Sequence, residues 1–355
     1  MKKYNFSAGP CILPQPVLQK AADAVVNFND LNLSLVEISH RSKDVVDVME
    51  TARSLALEHL GLQNMGYKAL FLQGGASLEF LMVAYNLLNK KAAYLNTGTW
   101  ASKAIKEAKL LGEMVEVASS KDKNFNYIPK GYQIPSDADY FHCTTNNTIF
   151  GTQMQDIPNT NVPIVCDMSS DIFSREMDFS KFSLIYAGAQ KNMGPAGTTL
   201  VVIKEDILGK VSRDIPSMLD YKVHLDKDSM FNTPSVFAVY VSMLTLQWLK
   251  DLGGVPEIEK VNDAKARLLY SEIDINPLFN GFVPNEKDRS KMNATFTLAD
   301  ESLKETFDEL CKQAGIHGIN GHRSVGGYRA SMYNAMSLEG VGVLVDVMSE
   351  LERNA

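Results

Sequence analysis

The feature that most restricts the fold is a unit that occurs twice in close succession: a short apolar run, a glycine turn, then a helical period. Lys68–Leu72 reads as a strand that stops at Gln73-Gly74-Gly75-Ala76, and Leu78–Leu88 follows as a helix with Ser77 as its expected N-cap. Ala92–Leu95, the turn Asn96-Thr97-Gly98-Thr99 and a helix over Trp100–Leu111 repeat the arrangement. Three more short apolar runs, Val162–Cys166, Leu184–Ala187 and Thr199–Ile203, lack the alternation of a half-exposed strand. Runs of that kind belong to strands buried on both faces. The expectation is an α/β fold with a mostly parallel central sheet flanked by helices.

The last hundred residues change character. Asp300 is placed to cap a helix carrying Leu303, Phe307, Leu310 and Ala314 on one face and ending at Gly315, and Leu338–Leu351 has the period of a second amphipathic helix. Between them lies a basic, glycine-rich segment, His317–Arg329. The 355 residues therefore divide into a large domain over 16–260 and a smaller α+β C-terminal domain built from 261–355 together with an N-terminal arm, 1–15.

Composition narrows the function by exclusion. With 35 basic and 42 acidic residues the chain carries a net charge of −7, so no bulk positive field draws it to nucleic acid or anionic lipid. Any anion must be held by local groups. The longest apolar run, Val236–Leu249, is broken by Ser242, Thr245 and Gln247 and is too short for a membrane span. Neither a membrane nor a nucleic-acid partner is expected. Cys11, Cys143, Cys166 and Cys311 form no C-x-x-C pair, which argues against a zinc site or disulfide framework and for four buried thiols in a reducing cytoplasm. No metal ligand set is expected. Signatures of P-loops, zinc proteases and α/β-hydrolases are likewise missing.

Chemistry concentrates in Tyr186-Ala187-Gly188-Ala189-Gln190-Lys191-Asn192-Met193-Gly194-Pro195-Ala196-Gly197, where a lysine follows a strand end among small residues that let a bulky ligand approach. Alone, Lys191 reads more readily as a surface lysine in a polar turn, and its company reverses that reading. Asp167 ends an earlier strand, 24 residues before it, and ligands of open α/β sheets sit at the carboxyl ends of strands. A lysine and a carboxylate facing one ligand suit pyridoxal phosphate, whose aldehyde bonds a lysine and whose ring nitrogen is kept protonated by an acid. Gly74-Gly75-Ala76-Ser77 is either a phosphate cradle at a helix start or an ordinary tight turn.

Five segments, in order, resemble the phosphoserine aminotransferase family, fold-type I pyridoxal phosphate enzymes of aminotransferase class V. They are Phe6-Ser7-Ala8-Gly9-Pro10, Glu37-Ile38-Ser39-His40-Arg41-Ser42, the Tyr186–Gly197 stretch, Ser229-Met230-Phe231-Asn232-Thr233-Pro234, and Gly321-His322-Arg323-Ser324-Val325-Gly326-Gly327-Tyr328-Arg329-Ala330-Ser331. The resemblance spans essentially the whole chain. It implies ping-pong transamination between O-phospho-L-serine and 2-oxoglutarate, giving 3-phosphohydroxypyruvate and L-glutamate, in serine biosynthesis. Whether the same site also serves 4-phosphohydroxy-L-threonine in pyridoxine biosynthesis is left open by the sequence.

Residue roles follow from the resemblance alone. Lys191 would bond the cofactor and move the proton between substrate and cofactor. Asp167 would pair with the ring nitrogen, Thr148 with the phenolic oxygen, and Trp100 would stack on the ring, although a helix-start tryptophan is equally a core residue. Ala76, Ser77 and Gln190 would hold the cofactor phosphate. Asn232 and Thr233 would reach the phosphate in a neighbouring subunit, which implies a homodimer. Arg329 would take the substrate α-carboxylate, and His40, Arg41, His322 and Arg323 would surround the substrate phosphate or the distal carboxylate of glutamate. Arginine suits such bidentate anion binding. His317 has no counterpart and is assigned to structure.

Overall fold

The computed structural model describes residues 3–355. Its centre is a seven-stranded sheet made of β1 (Tyr67–Leu72), β2 (Lys91–Asn96), β3 (Glu113–Ser119), β4 (Tyr140–Thr144), β5 (Ile164–Asp167), β6 (Leu184–Gly188) and β7 (Thr199–Lys204). The order across the sheet is β1-β7-β6-β5-β4-β2-β3. β7 runs antiparallel to both of its neighbours, and the other pairings are parallel. The expected parallel α/β sheet is therefore present, with one reversed strand.

Burial on both faces explains the unbroken apolar runs. Along β6, Ile185 and Ala187 face a cluster with the helices Lys43–His59 and Val236–Asp251, whereas Leu184 and Tyr186 face a second cluster with the helices Gly75–Leu87 and Thr99–Ala108. Each fully buried large side chain in these layers contributes roughly 1.5–3 kcal/mol. A third cluster lies elsewhere. It gathers Phe279, Phe296 and Tyr328 of a three-stranded antiparallel sheet (Phe279–Gly281, Asn293–Leu298, Tyr328–Ser331) with Phe307 and Met348 of the helices Lys304–Gln313 and Leu338–Asn354. Phe6, from the start of the chain, is fully buried in that same cluster, and Tyr4–Asn5 pairs in parallel with Ile316–His317.

Helix Val255–Ile275 runs unbroken through position 260. Its first turn places Val255 and Ile258 in the core beside the large sheet, and its last turns place Leu269 and Ile273 in the third cluster. Two details of the sequence reading change. The helix after β1 begins at Gly75, with Gly74 as N-cap at φ +103° and no side chain capping it, so Ser77 lies inside the first turn and is not the cap. The helix after β2 starts at Thr99 and ends at Ala108, short of Leu111. No helix among the described residues is long and apolar enough to cross a membrane.

Candidate functional site

Because β7 is reversed, Leu72, Thr199 and Gly188 stand in one row across β1, β7 and β6. Thr144, Asp167 and Tyr186 align across β4, β5 and β6. The carboxyl ends of the parallel strands thus share one edge, and the turns that leave them carry the polar groups. Lys191 lies in the single helical turn Ala189–Asn192 that follows β6.

The lysine is half-buried, and its Nζ donates to Thr148 Oγ1 at 2.8 Å and stands 5.4 Å from the centre of the Trp100 ring. Desolvation pushes its pKa down to about 8; the Asp167 carboxylate works against that shift and the Arg329 guanidinium works with it. Asp167 is 4% exposed. Its Oδ1 accepts from the Ser169 backbone N–H at 2.9 Å and from the Ser169 hydroxyl at 2.6 Å, whereas Oδ2 has no donor among the described residues. Burial raises this carboxyl, and Lys191 and the two Ser169 bonds hold it back.

Arg329 joins the group from the small antiparallel sheet. Its Nη1 donates to the Thr148 carbonyl at 3.2 Å, and its buried Nε has no partner. Trp100 is in the same condition: its indole N–H is buried without an acceptor. Unpaired donors in a cleft cost stability unless a ligand completes them. Trp100 packs with Phe125, Ile149 and Phe150, and Val325 reaches this cluster from the loop that bears His322 and Arg323. In that loop the Ser324 backbone N–H donates to His322 Nδ1 at 3.2 Å. Desolvation, then Arg329, Arg323 and Lys103, lowers the His322 pKa.

At the other end of the edge, the first turn of helix Gly75–Leu87 offers backbone N–H groups with no side-chain cap, and a Cβ on Gly75 would meet nothing within 4 Å. Ala76 is half-buried there and Ser77 exposed. Gln190 precedes Lys191, with its side-chain amide against Gly188. The N-terminal arm crosses this segment: Cys11 N–H donates to the Gln190 carbonyl at 3.1 Å, and the Cys11 thiol contacts the Lys191 carbonyl. Cys11 is thus half-exposed beside the site, unlike the other three cysteines, which are buried as expected; all four thiols are free.

Lys191, Thr148, Trp100, Asp167 and Arg329 therefore converge within one chain, and His322 and Arg323 flank them. His40 and Arg41 do not join them. They lie in the turn before helix Lys43–His59, and neither side chain bonds to another residue of the group. Asn232 and Thr233 also stay apart from Lys191; the Thr233 carbonyl instead accepts from Gln73 Nε2 at 2.6 Å. Among the described residues no cluster of His, Cys, Asp and Glu is arranged to hold a metal ion.

Several contributors had escaped the sequence reading. Ser169 aims Asp167 and also accepts from the Gly188 N–H at 3.1 Å, which ties two strand ends together; its offset of two residues from the aspartate was the available signal. Lys103 has its Nζ 4.6 Å from the Trp100 ring, and the i, i+3 spacing would have revealed it. Gly98 matters for closeness: a Cβ there would fall 2.8 Å from Asn147 Oδ1.

The class-V aminotransferase profile matches residues 3–344. A phosphoserine aminotransferase of Flavobacterium johnsoniae is 71% identical over 354 residues, covering 99% of each chain. Among solved structures, phosphoserine aminotransferase from Bacillus circulans subsp. alkalophilus superposes with a TM-score of 0.96 at 42% identity, over 99% of both chains. The enzyme from Trichomonas vaginalis, solved with pyridoxal phosphate bound, gives 0.93 at 34% identity over 98% of this chain and all of that one. By sequence and by fold over its whole length, the chain belongs to the phosphoserine aminotransferase family of class-V aminotransferases.

Proposed function

We propose that this chain is a pyridoxal phosphate-dependent transaminase that exchanges an amino group between O-phospho-L-serine and 2-oxoglutarate, with 3-phosphohydroxypyruvate and L-glutamate as products. The observation that carries the reading is the convergence of a desolvated Lys191, a buried Asp167 and a donor-rich Arg329 at one strand edge. The residues present fit the cofactor. Lys191 has a lowered pKa, Asp167 keeps one oxygen undonated, the helix start before Ala76 and Ser77 is uncapped with open space at Gly75, and the Trp100 N–H lacks an acceptor.

When bound, the cofactor supplies an electron-withdrawing ring that stabilises negative charge at the substrate Cα. The chain supplies the rest. Lys191 holds the cofactor and carries a proton on Nζ to and from the substrate, a task matched to a pKa near the working pH. Asp167, whose carboxyl is raised by burial and held back by Lys191 and the two Ser169 bonds, would pair with the ring nitrogen. Thr148 accepts from Nζ and would bond the phenolic oxygen, and Trp100 would cover the ring. Ala76, Ser77 and Gln190 would hold the phosphate at the helix start. Arg329 takes the α-carboxylate with its unpartnered Nε, and His40, Arg41, His322 and Arg323 take the phosphate of one substrate or the distal carboxylate of the other.

Asn232 and Thr233 complete the site of a second copy in a homodimer, as their separation from Lys191 within one chain suggests. Large exposed apolar side chains favour such a contact: Val26 at 80%, Val36 at 62% and Phe237 at 36%. We also propose the division into 16–260 and 1–15 plus 261–355, with helix Val255–Ile275 shared between the two cores, and a cytoplasmic setting that keeps the four thiols free.

The test is covalent capture. Borohydride reduction of the yellow holoenzyme should fix one cofactor per chain on Lys191, and Lys191→Ala should be colourless and unable to form glutamate from phosphoserine and 2-oxoglutarate. Labelling of another lysine, or none, overturns the reading.

A further inference from the structure

Lys265 lies in the middle of helix Val255–Ile275 with no exposed surface, and no carboxylate pairs with it. Its Nζ donates to three backbone carbonyls, Tyr333 at 2.8 Å and Met332 and Met336 at 3.0 Å each. An ammonium has three protons, and here each has an acceptor. Burial pushes this group down to about 7, and the three carbonyl dipoles work the other way by favouring the protonated form. A buried, unpaired lysine is costly. The transamination chemistry has no use for it.

What it grips explains its place. The three carbonyls belong to the turn that directly follows strand Tyr328–Ser331, the strand that carries Arg329. The same turn is tied to the lysine segment: the Asn334 N–H donates to Asn192 Oδ1 at 2.9 Å, one residue beyond Lys191. Asn334 Nδ2 donates to the Phe173 carbonyl at 2.9 Å, and Asn262, one helical turn before Lys265, donates to Asn334 Oδ1 at 2.9 Å. The Tyr333 hydroxyl donates to the Ala8 carbonyl of the N-terminal arm at 2.7 Å. One turn thus joins the strand of Arg329, the neighbour of Lys191 and the arm that crosses it.

We infer that Lys265 is a positioning residue: by gathering the carbonyls of residues 332–336 it fixes the Arg329 strand relative to the Lys191 segment, and so sets substrate affinity without touching substrate. The inference rests on the role proposed above for Arg329. Misplacing a binding group by about 1 Å can cost up to about a hundredfold, so a loosened turn should appear in KM before it appears in cofactor binding.

The experiment compares holoenzyme of wild type, Lys265→Gln, which keeps two donors, and Lys265→Met, which keeps none. The expected result is a graded rise in KM for both phosphoserine and glutamate, reaching about tenfold in Lys265→Met. Cofactor affinity should stay within about threefold and kcat should change less than KM. Amide exchange at 332–336 should quicken in the cofactor-free variants as well. If Lys265→Met does not fold, Lys265→Gln decides alone by the same measures, and in wild type the amides of Met332, Asn334 and Met336 must be protected like those of β6. Wild-type KM values in folded variants, or rapid exchange of those amides in wild type, overturn the inference. Loss of melting temperature with unchanged KM reduces Lys265 to a structural group and also overturns it. If Arg329→Ala itself leaves both KM values unchanged, the role of Arg329 has failed and the assignment of Lys265 as its positioning residue fails with it, while a wild type inactive on phosphoserine points instead to the functional reading.

Discussion

Lys191 combines a lowered pKa of about 8 with a hydroxyl partner, so its unprotonated form is accessible near neutrality. Cofactor capture by the apoenzyme should therefore accelerate as pH rises from 7 and level off above about 8. Asp167→Asn, which removes the charge that holds the lysine protonated, should move the midpoint lower; stopped-flow absorbance over pH 6–10 reads both, and a higher midpoint in the variant contradicts the assignment. A second titration lies in the helix that starts at the cradle. Glu79 is fully buried, accepts from the Tyr221 hydroxyl at 2.5 Å, and is raised by burial to about 7. The folded state then holds a proton that the unfolded chain has released, so stability falls as pH rises from about 4.5 to about 7, by an amount on the order of 3 kcal/mol. Glu79→Gln should flatten that slope in denaturant melts at pH 5 and pH 8; an unchanged slope would sink the assignment. Lys191 and Asp167 are legible as a pair, a lysine and a carboxylate at two strand ends, although either alone has other uses. Ser169 and Lys103 carry only the weak local signals of offsets by two and three residues, which single them out once the chain is folded.

At the scale of elements, glycine turns decide how closely two helix starts approach the strand edge. Gly74 sits at φ +103°, and a Cβ there would fall 2.7 Å from that of Leu78. Gly74→Ala should cost about 1–3 kcal/mol and weaken cofactor affinity more than it changes KM for glutamate, as equilibrium dialysis and thermal melts would show. Gly98→Ala pushes against Asn147 and should displace Trp100, with a similar loss of stability and a shift in the absorbance of the bound cofactor. Strands β1, β2, β5, β6 and β7 were readable because burial on both faces writes continuous apolar runs into the sequence. The helices Gln15–Val26, Lys43–His59 and Val255–Ile275 were not marked in advance. Their apolar faces are interrupted by charged residues such as Arg53 and Lys265, which are buried only because the fold supplies partners for them.

Across the whole molecule, the chain closes on itself: Phe6 is buried in the C-terminal cluster, and the arm after it reaches Lys191 through Cys11. The arm's place in the smaller domain is read from the order of elements, but the contacts that make this closure have no local signal; the proposed homodimer rests on the resemblance alone. Its sharpest test is complementation between two inactive chains, Lys191→Ala and the double variant Asn232→Ala/Thr233→Ala. If these residues serve a neighbour's site, mixed dimers contain one intact site and regain activity; if they serve their own, mixing restores nothing. Val36→Glu should likewise weaken self-association in sedimentation and lower activity in step.

The claim that governs all of these is that local cations in a chain of net charge −7 select a substrate with an anion at each end. It is tested by comparing kcat/KM for O-phosphoserine and for serine in the same holoenzyme with saturating 2-oxoglutarate. A preference of at least about a hundredfold for the phosphorylated amino acid is expected, collapsing in Arg323→Ala. Equal turnover of the two amino acids, or a preference that survives loss of Arg41 and Arg323 together, would contradict it.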